Sequence, residues 1–171
     1  IRKNVTIPRG TIQDRALTEI GDRNLIMAYA HIGHDSTVGS DTILVNNTAL
    51  AGHVEIGDWA ILSGYTLVHQ FCKIGAHSFS GMGTSIGKDV PAFVTVAGSP
   101  AVAKTINAEG LRRRGFEATE ITALRRSFKI LYRQGFTLEV ALERLQTMVE
   151  EAPCIQMLID SLQQSQRGIV R

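Results

Sequence analysis

The sequence predicts a mainly β solenoid over residues 1–106, including a turn-rich exit, followed by a small α-helical domain over residues 107–171. Two observations carry this prediction. A branched aliphatic residue recurs every six residues through the first part of the chain, and the apolar residues then change to helical spacing. Because neither a helix nor an ordinary amphipathic strand has a period of six, the repeat indicates a stacked architecture.

The repeat of six runs from Ile20 to Ile86, and eleven of its twelve positions are Ile, Leu or Val. The positions are Ile20, Ile26, Ile32, Val38, Leu44, Leu50, Ile56, Leu62, Val68, Ile74, Ser80 and Ile86. If each hexapeptide forms one side and one corner of a triangular prism, 18 residues complete a coil and the aliphatic residues fill its centre. A glycine directly after many of them leaves room for the sharp corner. About four coils are expected, and residues 6–18, including Asp14, are predicted to form a loop outside the frame.

Beyond the repeat, three helices are predicted. The first carries an apolar stripe from Ile121 to Leu131, Thr137 caps the second, and Pro153 lies in the first turn of the third.

Composition narrows the class of protein. A formal charge of +2 and a pI near 8.7 do not indicate nucleic-acid binding, and the sequence contains no apolar run of about 18 residues that would span a membrane. Cys72 and Cys154 match no metal-ligand spacing, which is typical of free thiols in a reducing compartment and places the protein in the cytoplasm. The start of the chain has neither Met nor a signal peptide.

An 18-residue coil predicts which polar residues stack. His34 should lie below Gly52 and Gln70, while Asp35 lies beside His34 and below His53. A base, a carboxylate that orients it and a bare backbone N–H are the groups that acyl transfer to a hydroxyl requires. Since no cysteine or serine lies in a nucleophile motif, direct transfer from an activated thioester is favoured.

Several motifs resemble the bacterial acyl-[acyl-carrier-protein]–UDP-N-acetylglucosamine O-acyltransferase family, a family of hexapeptide-repeat acyltransferases. They are HIGHD at residues 31–35, VHQF at 68–71, GKDVP at 87–91, NAEGLRRRGF at 107–116 and RGIVR at 167–171. The resemblance implies a left-handed parallel β-helix, a homotrimer and no cofactor. It implies transfer of an (R)-3-hydroxyacyl chain from acyl carrier protein to the 3-hydroxyl of UDP-N-acetylglucosamine, the first step of lipid A biosynthesis. Because relatives carry several further coils, we expect that coils are missing before residue 1.

The resemblance also implies residue roles. His34 would be the general base with Asp35 as its partner, and the Gly52 N–H would bind the oxyanion. Met82 would close the acyl groove and select a chain of about ten carbons. The sugar nucleotide would be bound by His31, His53, His69 and Gln70, with Asn107, Glu109, Arg113 and Arg114 contributed by the neighbouring chain or the helical domain.

A group of arginine and lysine residues near the start of the helical domain suggests how the donor docks. Positive charge at the start of the helical domain fits an acidic carrier protein; this basic cluster comprises Arg112, Arg113, Arg114, Arg125, Arg126, Lys129 and Arg133.

Three alternative functions stay open: the related N-acyltransferase, a non-catalytic solenoid and a metal-dependent hydratase. The last would need a second histidine 36 residues after His34, where Gln70 stands, so no metal is predicted. His77 is interpreted as structural.

Overall fold

A computed structural model describes residues 1–12 and 16–171, and most of the chain is built from very short strands. The strands are β1 (Glu19–Ile20), β2 (Leu25–Ile26), β3 (His31–Ile32), β4 (Thr37–Val38), β5 (Ile43–Leu44), β6 (Ala49–Leu50), β7 (Glu55–Ile56), β8 (Ile61–Leu62), β9 (Leu67–Val68), β10 (Lys73–Ile74), β11 (Phe79–Ser80), β12 (Ser85–Ile86), β13 (Val94–Ala97) and β14 (Val102–Ile106).

The strands form the three walls of a prism. Their orders are β1-β4-β7-β10, β3-β6-β9-β12 and β2-β5-β8-β11-β13, the last extended by the antiparallel strand β14. Partners within the repeat are parallel and 18 residues apart, as in the pairing of Ile32 with Leu50 and of Leu50 with Val68. The predicted parallel β-helix of about four coils is therefore confirmed, while its left-handedness stays a prediction from the resemblance.

The core of the prism has two inward positions per side. The aliphatic position is buried, with Ile32, Leu44 and Leu50 fully inaccessible, and each such side chain contributes about 1.5–3 kcal/mol. A second, small residue two places earlier is also buried, a position that the sequence interpretation missed; its members include Ala30, Ser36, Thr42, Thr48, Ala60, Thr66, Cys72, Ser78 and Thr84. Because Thr66 Oγ1 lies 2.7 Å from Ser80 Oγ, this inner position also explains the one serine in the aliphatic column.

Each corner holds a residue with left-handed backbone, three places after the aliphatic residue. From Arg23 to His77 these residues have φ between 55° and 64° and none is glycine. Each stacked corner N–H donates to the coil before it, as His53 N–H does to His34 O at 2.9 Å. The glycines have a different role from the predicted one: a Cβ on Gly33 would lie 2.4 Å from the Ala51 carbonyl carbon, so glycine there admits the next coil.

The corners stack into three edges, which organise the functional residues. The first edge includes Arg23, Asp41, Trp59 and His77; the second includes Tyr29, Asn47, Tyr65 and Gly83; the third includes Asp35, His53 and Phe71.

The predicted loop is shorter than expected at its start. Thr6 forms a parallel bridge with His31, so Thr6 belongs to the coil and the prediction that it lies in the loop is wrong. Thirteen residues lead from Thr6 to Glu19, whereas six lead from their partners His31 to Thr37. The chain thus inserts seven residues at the third edge; Asp14, part of the predicted loop, lies outside the described residues.

Four helices follow the β-helix: α1 (Ala108–Arg113), α2 (Ala118–Tyr132), α3 (Leu138–Gln146) and α4 (Ile155–Gln163). Helices α2 to α4 were predicted, and Thr137 caps α3 by accepting from Val140 N–H. Helix α4 begins at Ile155 with Cys154 at its N-cap, so the prediction that Pro153 lies in its first turn is wrong. Helix α1 was not predicted. Apolar packing continues from the β-helix into the helices, and a domain division at residue 107 stays a prediction. Among the described residues, no helix is long and apolar enough to cross a bilayer.

One buried carboxylate fastens the end of the chain to the β-helix. Asp89 Oδ1 accepts from Lys73 N–H at 2.8 Å. Its Oδ2 accepts from the Ser165 hydroxyl at 2.7 Å and from the N–H groups of Gln166 and Arg167 at 3.0 and 3.2 Å.

Candidate active site

The third edge brings a histidine and a carboxylate into direct contact. His34 Nδ1 lies 2.9 Å from Asp35 Oδ2, with the histidine side chain 44% exposed and the aspartate side chain inaccessible. The carboxylate can only accept at neutral pH, so the Nδ1 atom carries the proton and the Nε2 atom is left as the base. The left-handed corner at Asp35, with φ of 57°, holds the two adjacent side chains on the same edge.

Asp35 is held as a carboxylate by several donors. Thr11 N–H lies 3.0 Å from both carboxylate oxygens and the Thr11 hydroxyl donates to Oδ2 at 2.7 Å. Burial raises the pKa of Asp35, but the hydrogen bonds from His34 and Thr11 outweigh it and lower that pKa to about 2. Asp35 is therefore ionised at neutral pH and favours a protonated Nδ1 on His34. Thr11 was not among the predicted site residues.

Gly52 lies directly against the imidazole of His34. A Cβ on Gly52 would be 2.7 Å from the Cε1 atom and 2.8 Å from the Nε2 atom of that ring. Only glycine therefore allows the ring to rest against this backbone. Among the residues that the structure describes, the Gly52 N–H donates to no protein acceptor, which leaves it available for a ligand oxygen.

The other predicted sugar-site residues are His31, His53, His69 and Gln70. His53 packs edge-on to His34 with ring centroids 5.0 Å apart. His31 Nδ1 lies 2.7 Å from the Thr6 hydroxyl, and His69 Nδ1 lies 3.2 Å from the carbonyl oxygen of the exposed Gln70. The structure thus places these four residues on the third edge and the adjoining β3-β6-β9-β12 wall.

Three residues on the same edge have side chains of the kinds that bind metal ions. Ligand atoms of His34, Asp35 and His53 lie within 4.8 Å of one another. However, Asp35 Oδ2 is already the acceptor for His34 and for the Thr11 hydroxyl. A cation bound there would compete with both donors, and the prediction of no metal stays a prediction.

A second polar cluster lies on the first edge, beside α1. The Arg114 guanidinium carbon lies 5.2 Å from the Trp59 ring centroid, and its Nη1 lies 3.2 Å from His77 Nδ1. Burial and then the charge of Arg114 lower the pKa of His77 to about 4. A neutral His77 therefore accepts from Arg114, which gives this structural histidine a positioning role. Trp59 was missed, although the 18-residue count stacks it between Asp41 and His77.

The remaining predicted nucleotide contacts differ in how available they are. Asn107 is buried; its Oδ1 accepts from Gly110 N–H at 3.1 Å and its amide donates to His77 O at 3.0 Å. Glu109 pairs with Arg112 and, at 3.0 Å, with Arg113. A cleft of about 820 Å³ opens beside Arg113, Arg114 and Trp59.

Within one chain, the predicted site residues lie on three different edges. The His34 cluster lies on the third edge and the Arg114 cluster on the first. Met82 precedes Gly83 on the second edge, where it is 81% exposed. A site that includes all three groups would therefore need residues from more than one chain.

Comparisons with known proteins identify the family of this arrangement. A family profile described as UDP N-acetylglucosamine O-acyltransferase, domain 2, matches residues 89–170, and one described as bacterial transferase hexapeptide (six repeats) matches residues 17–52. The acyl-[acyl-carrier-protein]–UDP-N-acetylglucosamine O-acyltransferases of Ectopseudomonas mendocina and Pseudomonas aeruginosa are 66% and 65% identical over the whole chain. The chain spans 66% of the length of each.

Solved structures agree. LpxA from Acinetobacter baumannii is 46% identical with a TM-score of 0.97, over all of this chain and 67% of that one. The UDP-N-acetylglucosamine acyltransferase of Francisella novicida is 42% identical with a TM-score of 0.96, over all of this chain and 63% of that one. The chain therefore belongs to the UDP-N-acetylglucosamine O-acyltransferase family.

Proposed function

We propose that the protein transfers an (R)-3-hydroxyacyl chain from acyl carrier protein to the 3-hydroxyl of UDP-N-acetylglucosamine, the first step of lipid A biosynthesis. The relatives that share 65–66% of its residues carry the name of this reaction. The observation that carries the proposal is the placement of an Asp35-anchored His34 against the bare backbone of Gly52. The family favours this reaction over the N-acyltransferase, the hydratase and the non-catalytic solenoid.

The geometry supports a direct, general-base mechanism. The Nε2 atom of His34 removes the proton of the 3-hydroxyl as its oxygen attacks the thioester carbonyl. Asp35 keeps the Nδ1 atom protonated and stabilises the imidazolium that forms. The Gly52 N–H donates to the oxyanion, which in comparable sites contributes about 2.7–4 kcal/mol. Collapse of the tetrahedral intermediate breaks the C–S bond, and the imidazolium returns its proton to the departing sulfur.

Acceptor binding is proposed to use two chains of a homotrimer. The sugar contacts His31, His53, His69 and Gln70 on the third edge of one chain. Glu109, Arg113 and Arg114 from the first edge of the neighbour contact the nucleotide, because arginine suits phosphate oxygens. Since the Asn107 side chain is occupied by Gly110 and His77, we assign it to the orientation of α1 within this nucleotide site.

Donor binding is proposed to depend on the charge of the basic cluster and on Met82, which closes the acyl groove. The basic cluster attracts the acidic carrier protein, and long-range attraction of this kind weakens as salt screens it. We expect the KM for the carrier protein to rise several-fold between low and 0.5 M salt, whereas a flat profile would remove the docking proposal.

The two unpaired cysteines, Cys72 and Cys154, support a location in the cytoplasm.

The first test is acyl transfer from 3-hydroxydecanoyl acyl carrier protein to UDP-N-acetylglucosamine. The assay compares this chain, a chimera that adds the third of the Pseudomonas aeruginosa relative that this chain does not cover, and the His34→Ala variant of each. We expect transfer by the chimera and a loss of at least 10³-fold in the variant. A chimera that folds but acylates only a glucosamine amine acceptor would establish the N-acyltransferase alternative. No transfer to either acceptor would favour the non-catalytic solenoid.

A further inference from the structure

Between Thr6 and Glu19 the β-helix departs from its 18-residue period by an insertion of seven residues. The insertion falls at the third edge, on the coil that precedes Asp35. Its two ends remain attached to the β-helix, through the bridge of Thr6 with His31 and through β1. The solenoid thus changes its regular geometry beside the buried carboxylate of the proposed active site.

The described part of this insertion is shaped around that carboxylate. Thr11 offers two donors, its N–H to both oxygens at 3.0 Å and its hydroxyl to Oδ2 at 2.7 Å. Gly10 admits the close approach: a Cβ there would lie 2.6 Å from Asp35 Oδ1 and 1.9 Å from Leu17 N. At the other end, the Thr18 hydroxyl accepts from Asp35 N–H at 3.0 Å and donates to Pro8 O at 2.8 Å.

When one oxygen of a buried carboxylate accepts a hydrogen bond from a histidine, its remaining acceptor positions also need donors. Without them the carboxylate rotates toward other donors. Oδ2 is shared between His34 Nδ1 and the Thr11 hydroxyl. Among the described residues, His53 also acts electrostatically on this carboxylate. The hydroxyl therefore fixes the oxygen to which the base is tied.

We infer that Thr11 is a positioning residue for acyl transfer, which acts through Asp35 to hold His34 in the tautomer and orientation of a general base. This inference rests on the proposed function, and it gives the described part of the insertion a role in catalysis. Thr11 itself does not contact the reacting atoms.

The test compares Thr11→Val, which removes the hydroxyl but keeps the shape and the backbone N–H, with Thr11→Ser, which keeps both donors. In the chimera we expect Thr11→Val to lower kcat about tenfold with KM for both substrates unchanged, because one charge-assisted hydrogen bond is lost. Thr11→Ser should stay within about twofold of the parent. Thr147→Val is the matched control, since the Thr147 hydroxyl donates to Arg144 O within the helical domain.

A second readout does not depend on turnover. In protein labelled with ¹⁵N-histidine, the parent should show His34 protonated at Nδ1, and Thr11→Val should show a mixture of the two neutral tautomers. The Asp35 carboxyl, followed by ¹³C NMR, should titrate at a higher pH in Thr11→Val than in the parent.

The outcomes separate the two claims. Unchanged kcat and an unchanged tautomer in Thr11→Val would overturn the inference, and so would a Thr11→Ser variant as impaired as Thr11→Val, since packing would then explain both. If neither the parent chimera nor any of its variants transfers an acyl chain, the proposed function fails. The tautomer comparison still decides whether Thr11 orients the histidine pair.

Discussion

Replacement of Gly52 by alanine provides a sharp test of the active-site geometry, because the two residues differ by a single methyl group. A Cβ at this position would lie 2.7 Å from Cε1, 2.8 Å from Nε2 and 3.2 Å from Nδ1 of His34, against 3.4 Å or more for ordinary contacts. The imidazole must therefore move by about 0.7 Å from the added methyl group. Such a movement changes its position relative to the Gly52 N–H that would hold the oxyanion and disturbs the 2.9 Å contact between His34 and Asp35.

The expected result is a large catalytic loss with little loss of stability. A misplacement of about 1 Å in an active site can cost about 10²-fold in rate, so we expect Gly52→Ala to lower kcat by about 30- to 100-fold. The His34 side chain is 44% exposed and can swing toward solvent. For that reason, the free energy of unfolding should change by less than about 1 kcal/mol. Steady-state acyl transfer and urea denaturation of the chimera measure the two quantities.

The chain offers a matched control in Gly64→Ala. Gly64 occupies the same place in its hexapeptide, two residues after the aliphatic one, but on the second edge. A Cβ there would meet only Asn46 O at 3.3 Å and Val45 Cγ1 at 3.7 Å. Gly64→Ala should keep kcat within about threefold of the parent. If Gly52→Ala also stays within threefold, the close packing of His34 on Gly52 has no catalytic significance and the reasoning fails.

Three further predictions concern chain length, pH and the end of the chain. Met82→Gly should shift donor preference from about ten carbons toward fourteen; equal preference in both proteins, measured with a series of 3-hydroxyacyl carrier proteins, would remove the ruler role. His77 takes up a proton near pH 6.5 when unfolded but near pH 4 when folded. Its stabilising effect is therefore present above pH 6.5, and about 3 kcal/mol is lost as the pH falls to 4; unfolding of His77→Gln should lack that part of the pH dependence. Asp89→Asn should lower the free energy of unfolding by about 3 kcal/mol, since three donors from residues 165–167 would meet a neutral amide. Asp160→Asn, at an exposed carboxylate, should change it by less than about 0.5 kcal/mol in the same urea experiment.

The period of six was sufficient to predict the coil, its 18-residue register and the vertical stack of His34, Gly52 and Gln70. Side-chain burial at a fixed interval is a property of the sequence, and a solenoid pairs each residue only with those one coil away. The same count places Trp59 beneath His77, so the aromatic part of the first edge was also within reach of the sequence. The small inward residues were missed because serine, threonine and alanine at a fixed spacing carry little hydrophobic signal.

The insertion at the third edge was located correctly only in part. Residues 6–18 were predicted to form a loop, yet Thr6 remained in the coil because its backbone pairs with His31. The contacts of Thr11 with Asp35 were beyond any periodic count. The contacts of a loop residue cannot be derived from its spacing in the sequence, because a loop follows no regular repeat.

The architecture and the family follow from local patterns along the chain, namely the hexapeptide period, the helical stripes and the motifs from HIGHD to RGIVR. The donors that satisfy Asp35, the occupied side chain of Asn107 and the three separate edges of Met82, His34 and Arg114 become visible in the folded protein alone. Burial, hydrogen bonding and close approach depend on distances in space. A repeat fixes those distances within a coil, whereas an insertion, a cap or the end of the chain fixes them only after folding.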